Sequence, residues 1–340
     1  MNNLNILITS VGRRSYIVNY FKKELKDLGK VHTCNSAYTL GMQAADSCFI
    51  APAIYSENYV DVILDYCAKN NISAVLSLFD IDLLVLAKNE KRFKDAGIEL
   101  ILAPERFVSL CNDKYKTAQF AKSLGLNTPR TYKNIDEVLD AISENKIQFP
   151  IIIKPRWGMA SMGIYTAYNE LELTVFSEAA KREITNSYLK FETSFTPTSP
   201  LIYQEMLEGK EYGLDVINDL HGNFQAVFAK EKVAMRSGET DLGLTVSNAP
   251  FVDLAKTIAR NSTHHGILSL DAFLINDKAF LLEMNCRISG HYPISHMAGV
   301  NYPKMLANWL QGKAAPLDCF TFKEGIYVAK DLIPTVLKQN

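Results

Sequence analysis

The sequence predicts a mixed protein, α/β over its first part and α+β beyond, and three observations carry that prediction. Over residues 1–111 short apolar runs alternate with helical patterns. The runs are LNILITS at 4–10, a second at 31–36, AVLSLF at 74–79 and ELILAP at 99–104; helical spacing occupies about 12–28, 57–70 and 82–96. Such alternation implies a parallel sheet with helices on both faces, a doubly wound unit. From Asn112 the alternation stops. DKYKTAQFAKSLGLNTP at 113–129 reads as a helix ended by Gly125 with Pro129 beyond it. It is followed by a strand-like stretch at Arg130–Tyr132, a helix at about 135–145, and the strand-and-loop stretch QFPIIIKPRWGMASMGIYTA at 148–167. Third, the C-terminal part is rich in hairpins. LIYQEMLEGKEYGLDVIND at 201–219 has two strands about a glycine turn, and GILSLDAFLINDKAFLLEMN turns at Asn276-Asp277. The expected units are 1–111, 112–200 and 201–340. Within them, NSYLKFETSFTPTSP (186–200) and AMRSGETDLGLTVS (234–247) read as loops, and FVDLAKTIARNSTHHG as a helix ending near Gly266.

Composition excludes several classes. The 340 residues are 48% hydrophobic and 21% charged, an ordinary globular mix, and 36 Lys plus Arg against 37 Asp plus Glu leave a net charge of -1. That balance offers no general attraction to nucleic acid or to an anionic membrane. No apolar run reaches the roughly 18–20 residues of a membrane helix. The start, MNNLNILITS, lacks a signal peptide's basic head and long apolar stretch. The six cysteines form no CxxC pair, which argues against a metal or redox role and fits a reduced, cytoplasmic setting. No GxxxxGK[ST] and no HExxH is present, so a Walker-type kinase and a zinc hydrolase are set aside.

The first unit does not carry a dinucleotide fingerprint. Its first turn, SVGRRSY, has one glycine where the pyrophosphate loop needs three. Arg13 and Arg14 at the following helix start can meet an anion or serve as solvated surface charge. Asp80 and Asp82 precede a helical run and are expected as capping or first-turn residues.

The stretch LLEMNCRISG (281–290) asks for chemistry. Glu283, Asn285 and Arg287 alternate, so they share one strand face, while Leu282, Met284 and Cys286 fill the other. Asp271, on the preceding strand of the hairpin, can converge on Glu283 and Asn285. Two carboxylates and an amide oxygen are hard ligands suited to Mg²⁺. Arg287 can stabilise charge on a transferred phosphoryl group. Lys154 stands where the apolar strand 151–153 ends, as a phosphate ligand or a snorkelling surface lysine. The small-residue loop after it can offer backbone N–H groups to phosphates.

Taken in order, NDKYKTAQFAKSLGLNTP, FPIIIKP, LIYQEMLEGKEYGLDV and LLEMNCRISG make the chain resemble the ATP-grasp superfamily. Within it the resemblance is to the ATP-binding halves of the carbamoyl-phosphate synthase large chain and their stand-alone relatives. The resemblance spans nearly the whole chain and implies a pre-ATP-grasp Rossmann-like domain followed by two ATP-grasp α+β subdomains. It implies ATP and Mg²⁺ (Mn²⁺ as an alternative) as cofactors. It assigns Lys114 and Lys154 to ATP phosphates, Glu205, Met206 and Leu207 to an adenine hinge, and Glu211 to the ribose. Glu283 and Asn285 fall to the metal and Arg287 to the transferred phosphate. Two departures stand out. RWGMASMG holds only Gly158 and Gly163, so backbone phosphate contacts rest on the region of Ser161, and Asp271 occupies the position where the synthase has a Gln. His291 and His296 are expected to pack against the neighbouring turn rather than line a pocket. Arg236 is the candidate for a substrate carboxylate or phosphate.

The implied reaction is phosphoryl transfer from ATP to a small-molecule carboxylate, then displacement of phosphate from the acyl phosphate by an amine or another nucleophile. The expected partners are therefore a carboxylate and an amine, with neither nucleic acid nor membrane; relatives of this kind are often homodimers. Two alternatives remain at this stage: a carbamoyl-phosphate-type component acting on bicarbonate or carbamate, and a nucleotide-binding regulatory protein without turnover. Segment 156–163 is expected to be mobile without nucleotide.

Overall fold

Strand β1 (Asn5–Thr9) is buried at every position, as a strand covered on both faces must be. Ile6 and Ile8 pack with Ile17 and Phe21 of helix Ser15–Leu25 on one face. On the other, Leu7 packs with Ile63 of helix Tyr59–Lys69. In this computed structural model, which describes residues 4–158, 162–187, 189–194 and 198–338, β1 is the centre of a five-stranded parallel sheet. Its partners are β2 (Val31–Asn35), β3 (Ser47–Ile50), β4 (Ile72–Ser77) and β5 (Glu99–Leu100), in the order β3-β2-β1-β4-β5. The doubly wound expectation holds. The helix expected from Asp82 to Ala96 is in fact two, Asp80–Lys88 and Glu90–Asp95, broken at Asn89.

The second sheet is antiparallel, in the order β6-β9-β7-β8, from β6 (Thr131–Tyr132), β7 (Ile151–Pro155), β8 (Tyr165–Ala167) and β9 (Leu201–Glu205). Helices Ile135–Ser143 and Glu170–Thr185 cover it through Val138, Ala141, Leu173 and Ala180. Strand β9, at the start of the third expected unit, pairs in this sheet, so the sheet boundary follows Glu205. The stretch 186–200, expected as a loop, carries the short helix Leu189–Thr193.

The third sheet is six-stranded and antiparallel, in the order β14-β13-β10-β11-β12-β15. It is built from β10 (Lys210–Asn218), β11 (Phe224–Arg236), β12 (Glu239–Thr245), β13 (Gly266–Ile275), β14 (Lys278–Asn285) and β15 (Tyr327–Ala329). The β13–β14 turn has Asn276 and Asp277 both at positive φ (48° and 59°), the backbone a two-residue hairpin of matching twist requires. The stretch 234–247, expected as a loop, is instead the β11–β12 hairpin, turning at Ser237 and Gly238. One face of this sheet is apolar: Leu214, Val216, Leu268, Leu270 and Met284 pack on Val108, Cys111, Leu254 and Ile258 of neighbouring helices. The opposite face is polar and faces a cavity. Among the described residues no helix is long and apolar enough to cross a membrane.

Candidate functional site

The cavity, of about 420 Å³, lies where the three sheets meet. Its floor is set by strand register. Lys230, Gly213, Asp271 and Glu283 form one cross-strand row, and Asp215, Ser269 and Asn285 form the next. Alternation along β14 is interrupted by a β-bulge opposite Asp271 and Ala272. It buries Leu281 in the core and turns Leu282 into the cavity beside Glu283, so Leu282 is not on the face expected for it. Met284 and Cys286 do fill the core side. The cysteines are all free, and Cys286 Sγ lies 3.3 Å from Cys111 Sγ.

Four cations stand over this floor. Lys114 opens helix Lys114–Ser123, which Asp113 caps by accepting from the N–H groups of Tyr115 and Lys116. The same buried carboxylate takes a two-pronged bond from Arg156 (2.8 and 2.7 Å), tying the helix start to the end of β7. Held there, Lys114 Nζ donates to Glu283 Oε1 (2.9 Å) and Gly158 O (2.6 Å). Lys154 also lines the cavity, 5% exposed. Burial, and then the nearby Lys114, bring its pKa down to about 8 against the pull of Glu283. Lys232 Nζ lies 2.7 Å from Glu211 Oε1 and 2.6 Å from Asp271 Oδ1. Burial opposes its charge, but these carboxylates raise its pKa. Arg287 is held by Asp80 through 2.7–2.9 Å bonds and keeps its charge despite burial. For Glu283, burial resists ionisation, while Lys114 and Lys154 hold its carboxyl below the usual range.

Asp271 and Glu283 face each other in register, and Asn285 lines the same cavity. Asp271 Oδ1 is buried and accepts no aligned hydrogen bond, with the Lys232 ammonium beside it as an ion-pair contact. Among the described residues no three His, Cys, Asp or Glu form a closed metal cage. Two carboxylates and an amide oxygen on an open wall suit Mg²⁺, which keeps waters and takes the rest of its ligands from phosphates. The residues present fit that ion.

Not every expected residue gathers here. Glu205 ends β9, and Met206 and Leu207 follow it, all outside the cavity lining; the Glu205 carboxylate accepts from the Arg130 N–H (2.9 Å), and Met206 is exposed. Ser161, with residues 159–161 of the expected mobile segment, lies outside the described residues. Arg236 does not gather here either. It ends β11 with its side chain 50% exposed, pairs with Asp241 (2.7 Å), and does not line the cavity. The hairpin that replaces the expected loop directs it outward.

Other residues were missed. His291, expected to pack, both packs and lines the cavity. Its ring fills the space over Gly213, where a Cβ would meet it at 2.6 Å. Its Nε2 bonds Ser269 Oγ at 2.7 Å, and burial followed by Lys230 lowers its pKa to about 4. His296 instead stacks on Tyr20. Beneath His291, Lys230 donates to Asp215 and to Ser295 Oγ (2.9 Å), all fully buried. Asp80 and Asp82 stand in the first turn of helix Asp80–Lys88, as expected, and both also make long-range contacts. Asp80 binds Arg287, and Asp82 accepts from Thr9, Ser10, Ser77 and Tyr59, locking together the loops after β1 and β4. Alternating lysines in AKEKV, opposite an acid-bearing strand, were the one signal for Lys230 and Lys232.

Residues 6–101 match the family described as PylC-like, N-terminal domain, and residues 197–331 match ATP-grasp in the biosynthetic pathway with Ter operon. The carbamoyl phosphate synthase large chain of Pyrococcus furiosus is 23% identical over 227 residues, 64% of this chain and 20% of that one. The chain thus spans about a fifth of the length of the large chains it matches. A carbamoyl-phosphate synthase of Methanobrevibacter smithii is 24% identical over 324 residues, 90% of this chain and 81% of its own length. In fold, the biotin carboxylase domain of Hydrogenobacter thermophilus 2-oxoglutarate carboxylase superimposes with a TM-score of 0.72 at 17% identity, covering 95% of this chain and 73% of that one; it was solved with MgADP, ADP and bicarbonate. An L-amino acid ligase from Bacillus licheniformis gives 0.67 at 19% identity, covering 92% and 75%.

Proposed function

Because this chain belongs to the ATP-grasp superfamily, whose members include ligases and carboxylases, we propose that it is an ATP-dependent carboxylate–amine (or carboxylate–nucleophile) ligase for small molecules. The reaction runs through an acyl phosphate. The observation that carries this reading is the in-register Asp271–Glu283 pair ringed by Lys114, Lys154, Lys232 and Arg287 in one cavity.

On this reading Lys114 and Lys154 bind ATP phosphates, Glu205–Leu207 take the adenine and Glu211 the ribose. Asp271, Glu283 and Asn285 hold Mg²⁺. Bound there, the ion neutralises phosphate charge during transfer. Lys114 and Lys232 now sit on the carboxylates that would serve the ion, so their ammonium groups are free to turn to phosphate oxygens when it binds. Arg287, fixed by Asp80, faces the transferred group. The acid's oxygen attacks the γ-phosphorus, ADP leaves, and the nucleophile then displaces phosphate from the acyl carbon. No side chain forms a covalent bond; positioning and charge neutralisation supply the rate.

The test is Mg²⁺-dependent ADP release across a panel of carboxylates paired with amines, with bicarbonate plus ammonia as one pair. A signal requiring one organic acid and one amine supports the ligase. A signal from bicarbonate alone replaces it with the carbamoyl-phosphate reading, which the M. smithii relative favours by its coverage. Glu283→Gln should lower turnover by at least about 100-fold; full activity in that variant refutes the metal assignment.

A further inference from the structure

Another part of the cavity wall is built around Arg14. This residue follows the β1 turn, its side chain only 16% exposed, and lines the cavity together with Glu239 from the start of β12. Its Nη1 donates to Leu78 O (2.8 Å) and its Nη2 to Glu239 Oε1 (3.3 Å). Glu239 is shared: Lys330 Nζ lies 3.2 Å and Arg13 Nη2 3.9 Å from its other oxygen. One carboxylate therefore answers three cations, an excess of two positive charges. The rest of the site is balanced, since Lys114, Lys154, Lys232 and Arg287 meet Glu211, Asp271, Glu283 and Asp80. Burial, and then the Arg287 guanidinium, pull the Arg14 pKa down, the mark of like charges gathered without enough anion. Gly290 keeps the wall open here, because a Cβ on it would come within 3.1 Å of the Glu239 carboxyl.

We infer that Arg14 anchors an anionic group of a substrate, a carboxylate or phosphate that passes through the reaction unchanged, and that this group takes the guanidinium over from Glu239. Arg14 then sets specificity: the acid or the amine bears a second, non-reacting anion. The assignment rests on the ligase reading for its substrate but not for its binding chemistry. Lys330 and Arg13 retain Glu239 when Arg14 turns to the ligand, so the exchange leaves no bare carboxylate.

The experiment uses the full chain saturated with MgADP. Malonate and, separately, inorganic phosphate are titrated calorimetrically into wild type, R14Q, R14K and E239Q. Arg14→Gln should weaken binding about 10- to 100-fold, the loss of a charge-assisted contact. R14K should fall between, and E239Q should tighten binding, because the competing carboxylate is gone. MgADP affinity stays constant. The stronger of the two probes identifies the anion class. Equal affinity in wild type and R14Q for both anions, or no binding of either to wild type, overturns the subsite. If R14Q does not fold by circular dichroism, E239Q decides: unchanged or weaker anion binding overturns it. Arg14-dependent binding with no ADP release on the full panel refutes the ligase and keeps the subsite. Turnover whose KM is untouched in R14Q does the reverse.

Discussion

Replacing Lys230 by Met tests the charge pair beneath the cavity. Lys230 and Asp215 are both 0% exposed, and the lysine bonds Asp215, Ser295 Oγ and Phe228 O. Removing it strands a buried carboxylate whose remaining partners are Ser295 Oγ at 2.6 Å and His291 Nδ1 at 3.4 Å. Breaking a buried pair from one side costs about 3–5 kcal/mol, because the surviving charge keeps its desolvation penalty. The loss should depend on pH. Burial alone would raise the Asp215 carboxyl; Lys230 first and His291 second hold it below the usual range. In wild type that depressed group adds stability above the unfolded carboxylate pKa and gives it up as pH falls. In Lys230→Met the folded carboxyl sits above its unfolded value, so its proton-linked stability is present at low pH and lost as pH rises. The deficit should therefore be largest near pH 7.5 and shrink toward pH 4.5. Urea unfolding, followed by circular dichroism and by fluorescence with coincident transitions, measures it. The double variant Lys230→Met/Asp215→Leu should recover most of the loss. A single-variant cost under about 1 kcal/mol, or a double variant as unstable as the single, refutes the argument.

Three further outcomes are expected. Gly213→Ala should drive the His291 ring out of its place and cost about 1–3 kcal/mol in thermal unfolding; a neutral effect would show the ring is loosely held. His264 is buried against Val216 O and Ser262, and burial lowers its pKa to about 3. The unfolded chain then binds the extra proton between that value and about 6.5, so stability falls as pH drops through this window, by up to about 1.4 kcal/mol per pH unit. His264→Gln should lack that slope; an unchanged slope assigns it to other groups. Asp80→Asn removes the carboxylate that fixes Arg287. It should lower kcat of ADP release about tenfold or more with little change in KM for ATP; a change confined to KM would place Arg287 in nucleotide binding.

Much of the fold was legible because it is written in periodicity. The buried strands of the first sheet read as apolar runs, and Asn276-Asp277 announced the hairpin that sets Asp271 opposite Glu283. The β11–β12 hairpin was not legible. Its polar, glycine-bearing sequence lacks a buried apolar face around 234–241, and only pairing with its neighbours makes it sheet. The substrate candidate taken from this stretch, Arg236, lies outside the cavity, whereas the residues of this hairpin that reach it include Lys232 and Glu239. Leu282 was misjudged because a single inserted residue reverses alternation, and no local composition marks a bulge. His291 was underestimated because its place depends on Gly213, a long-range complementarity between a missing side chain and a ring.

The strand order β3-β2-β1-β4-β5 puts the loops after β1 and β4 side by side at the point where the winding reverses, the crevice in which doubly wound sheets usually seat their ligands. Here Arg14 leaves one lip and Phe79 the other, and both line a cavity whose floor belongs to a different sheet. The lips and the floor of the cavity are therefore carried by two different sheet frameworks, joined through a shared apolar core. Residues on the lips can be exchanged without touching the register that opposes Asp271 to Glu283. A chain built this way can retune what it recognises while its phosphate chemistry stays fixed, and the interface between the frameworks is where the two must agree.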